Sequence, residues 1–325
     1  MFTGDLMCSV KHQRAAEKHG YDFHDTFRRV RDILSGADLA AGVLECSCFD
    51  GAPYEHELLR LPGGSPNCNS PSSFVPAAAS AGFDVLVTAN NHSCDGGAEG
   101  LRATAAEIRR CGMRNVGTLG ENPVILDIKG FRIALIACTM ISNNTEGCLS
   151  EDGEIICVNP AGIYSRDYFT ELVNRAKAEG AEYIAAYQHW GCMNSARVRK
   201  SQVQEAQFMA DAGADIIIGS HPHMVQRFGW VKSADGRKVP CAYSLGNFLS
   251  TMSEMDGNRD GVILRSELRR SDSGIQTKVS YIPCMTEDRD WGAEILPVFP
   301  PYSGESSRSF QRTQTVMGEG IRHFH

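Results

Sequence analysis

The chain lacks any apolar run approaching the ~20 residues that cross a bilayer, and its first residues carry no basic segment followed by an apolar stretch. As given it is expected to be soluble and unanchored, with no integral membrane segment. It also lacks a basic excess: 32 Lys and Arg stand against 39 Asp and Glu, a formal charge of −7, whereas surfaces that follow a phosphate backbone are basic. No nucleic-acid partner is expected. A zinc-ribbon cysteine framework is missing too. The 12 cysteines are scattered and Cys46-Ser47-Cys48 is the one close pair, whereas a structural zinc needs wider spacing and a second pair. Cys138 and Cys241 sit inside apolar runs, where a thiol behaves as a small hydrophobe. Free thiols, a reducing compartment and a cytoplasmic location are the expectation.

What is present is ordinary globular composition, 42% hydrophobic and 22% charged over 325 residues, enough for one large α/β core with appended pieces. The stretch Gly213 to Gln226 organises it. Three isoleucines, Ile216 to Ile218, read as a strand buried on both faces, which then drops through Gly219 and Ser220 into His221-Pro222-His223. Ligands of open α/β sheets bind beyond the carboxyl ends of strands. Imidazole is the commonest protein metal ligand, and Pro222 fixes the backbone between the two rings. The same tripeptide also fits a loop in which one histidine caps a helix and the other is solvated.

Four times a helical pattern ends at a glycine, then an acid two residues on, then an apolar run: Gly36-Ala37-Asp38, Gly82-Phe83-Asp84, Gly180-Ala181-Glu182 and Gly213-Ala214-Asp215. This predicts repeated α-then-β units. The predicted strands are residues 39–44, 85–89, 131–138, 183–187, 215–218 and 239–243. Asp5, Glu45, Asn90-Asn91-His92, His189, and His221 with His223 follow strand-like runs. Five strand ends therefore supply groups that bind metals or move protons, which points to a shared site. Residues 262–264 and 277–281 flank Ser271-Asp272-Ser273-Gly274 and predict an antiparallel hairpin at a sheet edge. Asn67 to Pro76 reads as a Ser, Pro and Asn-rich surface loop. The main domain is expected over 1–285, with 286–325 a Pro-containing tail, either a loosely docked helix or partly disordered.

Several separate motifs carry a family resemblance. They are Gly4-Asp5-Leu6-Met7, Ala89-Asn90-Asn91-His92-Ser93-Cys94-Asp95, His189-Trp190-Gly191, His221 to Gln226, and Tyr243-Ser244-Leu245-Gly246-Asn247-Phe248. With them the chain resembles the CapA-type capsule and poly-gamma-glutamate biosynthesis family, a branch of the calcineurin-like metallophosphoesterases. The resemblance implies a metallophosphatase-like four-layer α-β-β-α sandwich with an antiparallel C-terminal edge. It implies two divalent ions (Mn, Fe or Zn), one held by Asp5 and His223, the other by Asn91, His189 and His221, with Glu45 bridging. His92 would be the proton donor to the leaving oxygen and Asp95 its partner. Trp190 is expected to wall the pocket. Met7 stands where the wider superfamily usually has a histidine ligand, so the two ions are expected to bind unequally. Val43 and Met193-Asn194 also depart from the branch's pattern. Members of the family are often membrane-anchored and extracytoplasmic, whereas this chain reaches its first motif almost at once.

Each residue has a plainer role open to it: Asp5 as a turn cap, Asn91 in a left-handed bend, Glu45 as a solvated strand end, His92 and Asp95 as a helix N-cap pair. Two functions fit. One is a hydrolase of a phosphoester or related bond using a metal-bridging hydroxide, acting on an anionic small molecule or polymer. The other is a non-hydrolytic component of capsule or poly-gamma-glutamate assembly or export that binds an anionic polymer or capsule-machinery proteins.

Overall fold

Apolar runs bounded by glycine and acid alternate with amphipathic segments, and the chain converts this pattern into two sheets sandwiched by helices. The computed structural model describes residues 1–143, 164–272, 274–318 and 321–323. In chain order the first half comprises β1 (Phe2–Leu6), α1 (Val10–Glu17), α2 (Arg31–Ser35), β2 (Ala41–Leu44), α3 (Phe74–Ser80), β3 (Val85–Val87), α4 (Gly97–Arg110), β4 (Arg114–Val116), β5 (Val124–Ile128) and β6 (Phe131–Thr139). There follow α5 (Arg166–Ala178), β7 (Tyr183–His189), α6 (Lys200–Ala212), β8 (Ile216–Ser220), β9 (Phe228–Lys232), β10 (Lys238–Ala242) and β11 (Asn247–Leu249). The C-terminal part holds β12 (Asp260–Ser271), β13 (Gly274–Arg289), β14 (Gly292–Pro297), α7 (Gly304–Met317) and β15 (Arg322–His323).

One sheet runs β14-β13-β12-β1-β2-β3-β4, with β11 beside β1 and β15 beside β13; the other runs β5-β6-β7-β8-β10-β9. Strands β1 to β4 are mutually parallel, as are β6, β7, β8 and β10, while β12 to β14 form the antiparallel edge that the sequence predicts. Three apolar layers follow from strand alternation. Val43, Val85 and Val87 of the first sheet meet Leu135, Ala185, Tyr187, Ile216 and Ile218 of the second. Ile217 points the other way, to Phe169, Leu172 and Met209 of the α5–α6 layer. Phe23, Phe27 and Phe74 cover the outer face of the first sheet. The architecture is the expected α-β-β-α sandwich. Each Val, Leu, Ile, Phe or Met side chain among these contributes about 1.5–3 kcal/mol by leaving water. The Tyr187 hydroxyl donates to the Ala41 carbonyl at 2.9 Å and so joins the sheets.

Several expectations need correction. Asp5 and His189 lie within strands, not beyond them. Asn67 to Ser70 are buried, and Phe74 to Pro76 begin α3. This stretch is buried because its amides serve the backbone: Asn69 Nδ2 donates to the Phe49 and Ala52 carbonyls at 2.8 and 3.0 Å. The anticipated boundary at 285/286 falls inside β13. α7 buries Ser309, Thr313 and Met317 and anchors Arg312 to Asp260 at 2.7 Å, so this part of the tail is a docked helix. Gly82, Gly180 and Gly213 take the left-handed backbone, but Gly36 ends α2 at φ −79°. Among the described residues nine cysteines are free, yet Cys94 is disulfide-bonded. Among the described residues no helix is long and apolar enough to cross a membrane.

Candidate metal centre

The parallel strands of both sheets end at one rim, and close backbone approach puts them there. A Cβ on Gly4 would lie 2.0 Å from the Gly246 carbonyl oxygen, and one on Gly219 would lie 1.9 Å from that of Tyr243. Glycine is required at both positions. The chain after β8 then turns through His221 and His223 at φ 92° and 55°, in the left-handed region that non-glycine residues seldom occupy. Such strain persists where surrounding contacts over-determine it. Here the His221 N–H donates to Asp5 Oδ2 at 3.1 Å, and Asn258 Nδ2 donates to the His223 carbonyl at 3.1 Å.

Asp5, Glu45, Asn91, His189, His221 and His223 come together and are all buried. Glu45 Oε1 is 3.4 Å from His189 Nε2 and 3.7 Å from His223 Nε2. Asp5 Oδ2 is 3.6 Å from His223 Nδ1, and Asn91 Oδ1 is 2.6 Å from His189 Nε2. The His189 and His221 rings stand 4.8 Å apart. Two three-residue groups share Glu45: Asp5 with His223, and His189 with His221, each with its ligand atoms within 4.8 Å of one another.

The electrostatics of this cluster suit a cation. Burial and then the facing Glu45 raise Asp5 well above the usual carboxylate value. Burial would raise Glu45 too, but His223 and His189 outweigh it and hold that carboxyl low. Burial, reinforced by His189, lowers His221 to about 2, and burial also lowers His189. Neutral imidazoles facing carboxylates are the form in which these groups ligate metals. Asp5 Oδ1, both Glu45 carboxylate oxygens and His221 Nδ1 have no hydrogen-bond partner. Leaving such atoms buried and unpaired costs several kcal/mol unless a cation satisfies them. The mixed oxygen and imidazole set suits Mn, Fe or Zn.

His92 and Asp95 form a second element beside the cluster. His92 Nδ1 lies 2.6 Å from Asp95 Oδ2, which also accepts the Cys68 N–H at 2.7 Å. Burial opposes charge on the ring, but Cys68 and Asp95 raise its pKa well above the usual imidazole value. Burial pushes the Cys68 thiol itself up to about 12, so Asp95 supplies the negative charge.

Four contributors escaped the sequence reading. Ser220 Oγ lies 2.8 Å from His189 Nδ1, Cys68 Sγ 3.7 Å from His92 Nε2, and Glu55 is pushed to about 7 by burial. Asn258 ties three loops together. Cys68, Glu55 and Asn258 follow no predicted strand and carry no spacing signal, whereas Ser220 ends β8. Asn247 and Gln226 have different roles. Asn247 Oδ1 faces His223 Nδ1 at 2.9 Å, whereas Gln226 holds the Ser195 and Arg197 carbonyls. Trp190 does not wall the site. It is fully buried in the α5–α6 core, stacked on Tyr243, with its indole donating to the Tyr243 carbonyl at 2.9 Å. Met7 packs in the core beneath α1 to α3.

Known proteins share this arrangement of sequence. The chain is 27% identical to the PGA biosynthesis protein CapA of Bacillus subtilis over 289 residues, 84% of this chain and 68% of that protein. It is also 27% identical to the capsule biosynthesis protein CapA of Bacillus anthracis over 284 residues, 84% of this chain and 64% of that protein. The chain thus spans about two thirds of the length of these relatives. Among solved structures, the sulfate thiohydrolase SoxB of Termus thermophilus in complex with glycerol aligns with a TM-score of 0.46 at 12% identity, over 90% of this chain and 45% of that one. Residues 1–252 match the bacterial capsule synthesis protein PGA_cap, and the chain belongs to that family.

Proposed function

We propose that the rim cluster is the active site of a divalent-metal-dependent hydrolase of a phosphoester or related bond in an anionic small molecule or polymer, serving capsule or other envelope-polymer metabolism. The observation that carries this reading is the set of buried, unpartnered Asp5 and Glu45 oxygens facing His189, His221 and His223. Asp5, Glu45 and His223 would hold one ion, and Glu45, Asn91, His189 and His221 the other. Bound there, the ions supply Lewis acidity toward a phosphoryl oxygen and lower the pKa of water.

The protein's own groups do the rest. Ser220 and Asn247 occupy the Nδ1 atoms of His189 and His223, which leaves His223 Nε2 facing Glu45 and His189 Nε2 facing Asn91 and Glu45. Asp95 occupies His92 Nδ1, so Nε2 is the nitrogen left to give its proton to a departing oxygen. Burial of the cluster keeps water from screening these charges. A second reading, a non-hydrolytic part of capsule assembly, draws support from the relatives' names, both of which are biosynthetic.

The deciding experiment pairs metal analysis with turnover on aryl and alkyl phosphates. Two bound ions and turnover that disappears with chelator and returns with Mn²⁺ or Zn²⁺ support the hydrolase. Tight metal without turnover on any phosphoester favours the binding role, and no metal at all removes the reading.

A further inference from the structure

We propose that Cys68 and His92 form a separate cation site, outside the Asp5–Glu45 cluster, for a thiophilic divalent ion of the zinc class. Cys68 Sγ and His92 Nε2 are 3.7 Å apart. Zn–S and Zn–N bonds at a tetrahedral angle separate sulfur from nitrogen by about 3.6 Å. The two donors therefore stand where one ion would hold them, with almost no movement of either side chain.

The surroundings match a ligating histidine. His92 Nδ1 faces Asp95 Oδ2 at 2.6 Å, the carboxylate contact that orients an imidazole and makes its other nitrogen the better donor. The same oxygen accepts the Cys68 N–H at 2.7 Å, so one carboxylate fixes both ligands relative to each other. Cys68, His92 and Asp95 are all more than nine-tenths buried, and Asp95 Oδ1 has no hydrogen-bond partner. The Asn143 side-chain amide, with Nδ2 3.4 Å from His92 Nε2, can turn its oxygen to the ion, and solvent completes the set. Thiolate and imidazole select zinc, cadmium or cobalt over magnesium or calcium. Binding releases the thiol proton, and the ring's Nε2 proton where present, to solvent. The consequence for catalysis rests on the hydrolase reading: an ion on Nε2 occupies the nitrogen that would protonate the leaving oxygen, so this site inhibits.

The test uses the full chain freed of metal and titrated with Co²⁺, followed by displacement with Zn²⁺. A near-ultraviolet thiolate-to-cobalt charge-transfer band should appear, vanish with Zn²⁺, and be absent in Cys68→Ser. His92→Asn should weaken it at least about tenfold in affinity. His189→Ala should leave it in place, because that residue belongs to the other cluster. Thermal unfolding of each variant separates loss of the site from loss of the fold, and His92→Asn decides the matter if Cys68→Ser does not fold. Absence of the band in the wild-type chain overturns the site. So does a band that survives Cys68→Ser, which would assign it to Cys8, Cys46 or Cys48. The visible bands of cobalt held by nitrogen and oxygen report on the other cluster, so failure of the hydrolase centre reads out separately.

Discussion

Asn258 Nδ2 donates to the His223 carbonyl at 3.1 Å from a fully buried position, 35 residues further along the chain. Its own carbonyl accepts Asn247 Nδ2 at 2.7 Å, and Asn247 Oδ1 in turn faces His223 Nδ1 at 2.9 Å. The same side chain reaches Asn194 Oδ1 at 2.8 Å and accepts the Met255 N–H at 2.7 Å. Asn258 thus holds the strained backbone of His223 through its side-chain amide and, through its backbone carbonyl and Asn247, the orientation of the ring.

Asn258→Ala should therefore weaken metal binding at the Asp5–Glu45–His223 group by about 10 to 100-fold. It should also destabilise the chain by about 1–3 kcal/mol through the buried groups left unpaired. Metal titration and urea unfolding on the same preparation check both effects. Wild-type values in both would show that His223 is held by other contacts.

The two groups of ligands differ in kind. One has two carboxylates and a single imidazole, while the other adds Asn91 and a second imidazole to the shared Glu45. Met7 adds nothing to the first group, because it packs in the core and because a thioether is a weak ligand for a hard or borderline ion. Calorimetric titration of metal-free protein with Mn²⁺ or Zn²⁺ should show two unequal steps. Two equally tight ions would contradict this.

Far from the rim, His12 sets a pH dependence. It is buried against Phe23 and Phe74, and burial lowers its pKa to about 3, with Asp288 opposing weakly. The unfolded chain binds this proton below about pH 6.5, while the folded chain binds it only near 3. Stability is then fully present above the unfolded value and falls as pH drops below it, by about 1.4 kcal/mol per unit. His12→Gln should flatten this slope, losing about 2 kcal/mol less than the wild type between pH 7 and pH 5. Urea midpoints at both pH values measure it. Parallel slopes in the two proteins would place the acid sensitivity elsewhere.

The sequence made legible what local pattern encodes. Ile216 to Ile218 reads as a buried strand and the glycines around it mark its ends, so the sequence itself puts His221 and His223 at a strand end. Asp5, Glu45, Asn91 and His189 were found for the same reason. What stayed hidden depends on long-range packing. Asn258 sits in a polar, turn-like stretch and shows its role only when β12 brings it beneath His223. Cys68 lies in a Ser, Pro and Asn-rich segment that reads as surface. Burial of that segment depends on Asn69 reaching the Phe49 carbonyl and Gln13 reaching the Asn69 carbonyl, pairings with no sequence period. Trp190 misled because strand alternation sends the residue after His189 to the opposite face, into the α5–α6 core.

His92 gives the sharpest test of the chemistry. It directly follows Asn91 in sequence, yet its Nδ1 is engaged by Asp95 and its ring lies outside the two groups that share Glu45. A metal ligand and a proton donor respond differently to loss. His92→Asn should leave the ions of the Asp5–Glu45 cluster in place while lowering turnover on an alkyl phosphate by about 10²–10⁴-fold, the usual contribution of a positioned acid. An aryl phosphate with an activated leaving group needs little protonation as its bond breaks, so it should suffer much less. Asp95→Asn should follow the same pattern more weakly, because the ring stays in place but its charged form loses its partner. The measurement is turnover on both substrates beside metal content for each variant. Loss of cluster metal in His92→Asn would make His92 a ligand of that centre, and equal loss of rate on both substrates would remove it as the acid.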